Sequence, residues 1–172
     1  MPDDFEDWDK KMDKWGNKLH SAVFSVAEMA ALGMGIEKTS FTKCLEGGAH
    51  LLAPTGSDLE KNGKGAIFAG FHYDISFITI HGKSRFPGLY VWLRNNQRIQ
   101  AKVPDGCLLL QAGITFEHMT GGYVHAGFHE VVCTDATVAA YEKAKEAGRR
   151  TWRVSSTLFA NFRYDVECYP HE

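Results

Sequence analysis

Over residues 5–32, apolar side chains return every three or four positions: Phe5, Trp8, Met12, Trp15, Leu19, Val23, Val26 and Met29. That spacing predicts one long amphipathic helix, with Asp7, Lys11, Asp13 and Lys18 on its other faces and Gly33 and Gly35 ending it. Such a helix lies against the outside of a domain or serves as a partner or dimer helix. Gly16 inside it weakens it by roughly 1 kcal/mol. A short helix is expected over residues 39–46, closed by Gly47-Gly48. The period then changes. His50-Leu51-Leu52-Ala53 is a short apolar run, and Pro54-Thr55-Gly56-Ser57-Asp58 reads as a turn. After a loop at residues 61–65, strand patterns follow at 66–69, 75–80, 89–93, 98–103 and 107–111. Asn95-Asn96 predicts a hairpin and Pro104-Asp105-Gly106 a turn. Residues 114–119 suit one helical turn, 123–132 a strand-like segment, 137–147 a short exposed helix and 152–162 a last strand.

Many short strands punctuated by glycine and proline predict a mainly β fold, a double-stranded β-helix (jelly roll) with N-terminal helices packed outside. The length suits one domain. Residues 1–48 are expected to form an N-terminal helical segment of that domain, and 49–172 its jelly-roll core. Apolar residues at 44% and charged residues at 23% exclude disorder as the default. A net charge of −2 gives no reason to expect nucleic acid or an anionic membrane as partner. No apolar run has the length of a membrane span, and the acidic N-terminus lacks a signal-peptide core, so a cytoplasmic protein is expected. Cys44, Cys107, Cys133 and Cys168 show no CxxC spacing and are expected to be reduced.

The chemistry concentrates at Gly70-Phe71-His72-Tyr73-Asp74, between two strand patterns. In extended backbone His72 and Asp74 point to one face and Tyr73 away. An imidazole and a carboxylate make two thirds of a metal site; the bland alternative is a hydrogen-bonded histidine beside a surface aspartate. His20, His50, His81, His118, His125, His129 and His171 are the histidines from which a third ligand could come. His125 and His129 share one parity, so both could face inward. Two histidines and a carboxylate form the facial triad of non-haem Fe(II) oxygenases, which leaves positions open for substrate and O2. On the last strand Arg153 and Ser155 share a face, a guanidinium and a hydroxyl suited to gripping a carboxylate. The alternative there is a surface arginine on an edge strand.

These residues together resemble the isopenicillin N synthase-like group of Fe(II)/2-oxoglutarate-dependent dioxygenases, over about two thirds of the chain, from Gly48 to Asp165. The family's His-x-Asp, Leu-Thr-Ile and Gly-Leu-x-Val runs are matched by His72-Tyr73-Asp74, Phe77-Ile78-Thr79-Ile80 and Gly88-Leu89-Tyr90-Val91. Its Pro-x-Gly turn, apolar strand, Thr-Asn-Gly run and distal His-Arg-Val are matched by Pro104-Asp105-Gly106, Leu108-Leu109-Leu110-Gln111-Ala112-Gly113, Thr120-Gly121-Gly122 and His129-Glu130-Val131. Its Arg-x-Ser is Arg153-Val154-Ser155.

The resemblance selects His129 as distal ligand. It implies that His72, Asp74 and His129 hold Fe(II) and that Arg153 and Ser155 grip the distal carboxylate of 2-oxoglutarate. The implied activity is a dioxygenase that oxidises a C–H bond of a small organic substrate with O2. Tyr73, Phe77, Trp92 and Gln111 are pocket candidates through nearness in sequence to these groups, with jelly-roll core as the alternative for Phe77 and Trp92. The chain departs from the pattern at His50-Leu51-Leu52-Ala53-Pro54, where a tyrosine is missing, and at Gly113-Ile114, where an aspartate is usual. Residues 135–148 are an insertion, and the N-terminal region is shorter than the family's, as in a fragment or a minimal member. Three other readings compete: an oxidase of the name-giving type that uses no 2-oxoglutarate, an inactive jelly-roll binding module, and a nucleic-acid demethylase. The last needs a basic groove, for which Arg149-Arg150 is the only local cluster.

Overall fold

The computed structural model describes residues 5–170. Helix α1 (Trp8–Gly33) is followed by α2 (Thr42–Leu45), and then the strands begin. They are β1 (Leu51–Asp58), β2 (Ile67–His72), β3 (Ile78–His81), β4 (Leu89–Trp92), β5 (Arg98–Gln100), β6 (Leu109–Ala112), β7 (His129–Val132) and β8 (Trp152–Ala160). Helix α3 (Ile114–Met119) follows β6, and α4 (Asp135–Glu146), the sequence insertion, separates β7 from β8. The strands form two antiparallel sheets of order β1-β8-β3-β6 and β2-β7-β4-β5, the double-stranded β-helix expected from the strand pattern. Among the described residues no helix is long and apolar enough to cross a membrane.

Helix α1 buries Leu19, Val23, Ala27 and Ala31, a narrower stripe than the predicted one. Phe5, Trp8 and Met29 are exposed. The i, i+4 row from Leu19 faces β3 and β8, and Met29 falls off it. Gly16 stands where a Cβ would come within 3.3 Å of the Leu52 side chain, so its small size serves the seating of the helix. Near the helix start, the Trp15 indole N–H donates to Ser156 Oγ at 2.8 Å. Phe41, Phe77 and Phe116 then pack on one another in tilted and edge-on pairs against Ile80 and Leu158, filling the space between helices and the first sheet.

Strand β8 explains how one sheet serves two purposes. Its even-numbered residues from 156 to 160 face the helices, where Leu158 and Ala160 are buried. Arg153, Ser155, Thr157 and Phe159 face the space between the sheets. Residues 54–58, read as a turn, are part of β1 and pair residue by residue with β8. Strand β1 is an edge strand, and only there does a sheet readily accept proline, which has no N–H to donate. The strand-like segment at 123–132 is a strand only from His129 onward.

Candidate metal centre

Strand β2 carries register shifts between Ile67 and Ala69 and between Ala69 and His72. A bulge changes which side chains face inward. Ala69 and His72, three apart, therefore both face the inter-sheet cavity, and Phe71 does not. The strand ends at His72, so Asp74 sits on the following bend rather than in extended backbone. That bend is fixed from outside. Ile114 N–H donates to Asp74 O at 2.8 Å, Gly113 N–H to Phe77 O at 3.0 Å, and Thr115 Oγ1 to Ile75 O at 2.8 Å. A Cβ at Gly113 would lie 1.9 Å from Ser76 O, so only glycine allows this approach.

His72 and His129 are register partners across β2 and β7, and their rings lie 4.2 Å apart. His72 Nε2 is 3.6 Å and His129 Nε2 3.8 Å from Asp74 Oδ1. One ligand atom from each of the three residues lies within 4.8 Å of the others. His72 Nδ1 is 2.6 Å from Gly70 O, an acceptor only, so Nδ1–H donates there and Nε2 keeps its lone pair toward Asp74. His129 Nδ1 is 3.0 Å from Gly127 O, which fixes that ring in the same sense. Burial holds His129 below the ordinary imidazole pKa and keeps it neutral, the form that ligates metals. Asp74 is 6% exposed, and its Oδ2 has no hydrogen-bond partner. A buried carboxylate with Oδ1 toward two imidazole lone pairs and Oδ2 without a partner fits a divalent cation.

Behind His129 stands Gln111, which the sequence suggested for the pocket. It donates from Nε2 to Gly127 O at 2.6 Å, and its Oε1 lies 2.9 Å from His81 Nε2. Its Nε2 is also 2.7 Å from His129 Nδ1, so the two nitrogens sit side by side and the Gly127 carbonyl, with two lone pairs, accepts from both. Gln111 supports His129 from behind rather than lining the cavity. Tyr73 and Trp92 do not line the cavity either. Tyr73 meets Phe128 edge-on, and Trp92 meets Phe71, all on the outer side of the second sheet. Nearness in sequence misplaced them, because neighbouring residues leave opposite faces of a strand. Phe77 is core. His20 packs on Phe24 and His50, and His50 donates to Leu45 O while accepting from Asn161 N–H. His118 contacts Cys168 O, and His125 lies 3.9 Å from Glu117. His171 falls outside the described residues.

The cavity measures about 390 Å³, within the usual range of small-molecule sites. Besides the three converging residues it is lined by Arg153, Ser155, Thr55, Thr157 and His81. Arg153 is buried, and among the described residues no carboxylate pairs with it; its Nε donates to Pro87 O at 3.4 Å. Burial alone lowers its pKa, with no neighbouring carboxylate acting against it. The alternative of a surface arginine is thereby excluded. Helix α4 supports this corner, because Thr137 Oγ1 also donates to Pro87 O. Thr55 is the lining residue that the sequence conceals, inside the supposed turn. His81, one of the candidate third ligands, lines the cavity without joining the other three, and its parity with Thr79 on β3 is the signal that places it there.

No protein-family model matches the chain, and no curated protein matches it in sequence. Solved structures do match it in three dimensions. A putative 2OG-Fe(II) oxygenase family protein from Caulobacter crescentus aligns at TM-score 0.80 with 22% identity, over 99% of this chain and 52% of that one. A full-length Neurospora crassa protein in complex with alpha-KG aligns at 0.77 with 21% identity, over 98% and 51%. AtDAO1, dioxygenase for auxin oxidation 1 from Arabidopsis thaliana, in its 2-oxoglutarate complex, aligns at 0.72 with 17% identity, over 91% and 53%. The chain spans about half the length of these structures. It has the double-stranded β-helix fold of the 2OG-Fe(II) oxygenases.

Proposed function

We propose that this protein is a non-haem Fe(II)- and 2-oxoglutarate-dependent dioxygenase that oxidises a C–H bond of a small organic substrate. The observation that carries the reading is one cavity holding both halves of the chemistry. His72, Asp74 and His129 converge there with an unpaired carboxylate oxygen, and the buried, anion-free Arg153 lines the same space beside Ser155. His72, Asp74 and His129 would hold Fe(II), which when bound supplies O2 activation and chelation of the 2-oxo acid. The remaining work belongs to the chain. Arg153 offers a planar fork to the distal carboxylate of 2-oxoglutarate, and Ser155 a further hydroxyl. Gly70 and Gly127 carbonyls orient the two imidazoles. Leu89, Val131 and Phe159 contribute apolar wall to the cavity, which limits water around the reacting groups.

The test is anaerobic addition of Fe(II) and 2-oxoglutarate with visible spectroscopy. The expected result is a metal-to-ligand charge-transfer band that His129→Ala and Arg153→Gln each abolish. Iron binding without the band would replace this reading with an oxidase that uses no 2-oxoglutarate. Absence of iron binding would leave an inactive jelly-roll module.

A further inference from the structure

The cavity is strongly unbalanced in charge. Arg153, Lys83, Arg85 and Lys102 line it, against the single carboxylate of Asp74. The chain as a whole carries 21 acidic and 19 basic residues, so this concentration runs against its average. One cation, Arg153, is enough for the distal carboxylate of the 2-oxo acid, and Asp74 is committed to the metal. Three cations are left over. They sit on the loops after β3 and β5, residues 82–88 and 101–108, away from the β8 corner that holds Ser155.

Among the described residues neither Arg85 nor Lys102 has a carboxylate partner. Lys83 pairs with Asp105, which is fully open to solvent and does not line the cavity. Arg85 also lines an adjoining cavity of about 230 Å³ together with Lys143, Arg149 and Arg150, none of them ion-paired among the described residues. The run of cations therefore continues from the cavity mouth through Lys143 to Arg149 and Arg150 on the turn after α4, while α4 itself carries Asp135, Glu142 and Glu146. The same lining includes the apolar side chains of Phe86, Leu89 and Val103, beside these cations.

The geometry points to a substrate that is an organic oxyanion: an apolar body reaching toward His72, Asp74 and His129, and a carboxylate or phosphate held at the rim by Arg85 and Lys102. Describing this anion as the substrate rests on the oxygenase reading; the anion site itself does not. A guanidinium and an ammonium facing one anion give both a fork and a point charge, and both steer a diffusing anion inward.

The test compares hexanoate, hexyl phosphate and the neutral hexanamide by isothermal titration, in the presence of 2-oxoglutarate. It uses the wild type, Arg153→Gln and the double variant Arg85→Gln/Lys102→Gln. Both substituted rim residues are exposed, so melting temperature should stay unchanged. One or both anions should bind at least about tenfold more tightly than the amide in the wild type and in Arg153→Gln. That preference should fall below about twofold in the double variant, which keeps its binding of 2-oxoglutarate. Whether hexanoate or hexyl phosphate leads identifies the anion. No preference in the wild type, or a preference that survives in the double variant, overturns the inference. So does a preference lost only in Arg153→Gln, because the anion would then belong to the clamp. If 2-oxoglutarate fails to bind while the preference behaves as expected, the oxygenase reading falls and the anion site stands.

Discussion

Asp74→Asn should make the metal-free protein more stable. The wild-type carboxylate is 6% exposed, and Oδ2 has no hydrogen-bond partner, while Oδ1 faces two imidazole nitrogens at 3.6 and 3.8 Å. Both imidazoles donate through Nδ1–H, so their Nε2 lone pairs are directed at a carboxylate that has only lone pairs to return. Leaving such a group unsatisfied costs about 1–3 kcal/mol. Asparagine keeps the shape, removes the charge and turns an N–H toward the imidazoles. For a domain of this size each kcal/mol shifts the melting temperature by about 2–4 °C, so the variant should melt roughly 2–12 °C above wild type. Metal should reverse the order. At a hundredfold excess over Kd a bound cation contributes about 2.7 kcal/mol, and the weakened ligand set of the variant collects less of it. The assay is thermal unfolding in EDTA and in Co(II), with circular dichroism as the probe. A metal-free variant that melts at or below wild type, while Co(II) still stabilises wild type, would refute the reasoning.

Gln111→Leu keeps the volume but strands His81 Nε2 and leaves the Gly127 carbonyl with His129 alone, so urea unfolding should show a loss of about 1–3 kcal/mol; an unchanged midpoint would count against that support. Arg153→Leu should abolish 2-oxoglutarate binding in titration while leaving the metal-free fold as stable or more so, because a buried cation without an anion is replaced by an apolar group. Gly113→Ala should fail to fold or unfold at markedly lower temperature, its methyl group being placed 1.9 Å from Ser76 O; wild-type melting would show that the bend carrying Asp74 can shift. Stability should also fall in mild acid. Burial depresses the folded-state pKa of His50, His81 and His129 below 6.5, so the unfolded chain takes up protons first as pH drops. The contribution is present above about pH 6.5 and is lost as pH falls through the lower folded values; a melting temperature flat from pH 8 to 5 would contradict this.

Much of the site was legible because β-strands repeat every two residues. Arg153 and Ser155 could be paired from sequence alone, and the same rule extends to Thr157 and Phe159, which line the cavity with them. His72 and Asp74 do come together, but not through strand parity. The strand stops at His72, and Asp74 is brought round by a bend fastened to Gly113, Ile114 and Thr115 about forty residues later. No local pattern encodes that fastening. The β2 bulges are equally silent, and without them Phe71 rather than His72 would follow Ala69 to the inside. Pro54 concealed β1, and with it Thr55, because proline reads as a turn wherever one cannot see that the strand lies at an edge.

The two sides of the first sheet differ for a physical reason that joins fold to chemistry. Toward the helices β3 and β8 present Ile78, Ile80, Leu158 and Ala160, all buried with the phenylalanine cluster. Toward the second sheet the same strands present Thr79, His81, Arg153, Ser155 and Thr157, polar groups that would be costly in an apolar interior. A jelly roll stabilised chiefly between its sheets could not keep that space polar. This one places its main apolar cluster outside the sandwich, under α1, α2 and α3, and so releases the interior for binding. The long N-terminal helix is therefore as necessary to the site as the residues that line it, although none of its described side chains reaches the cavity.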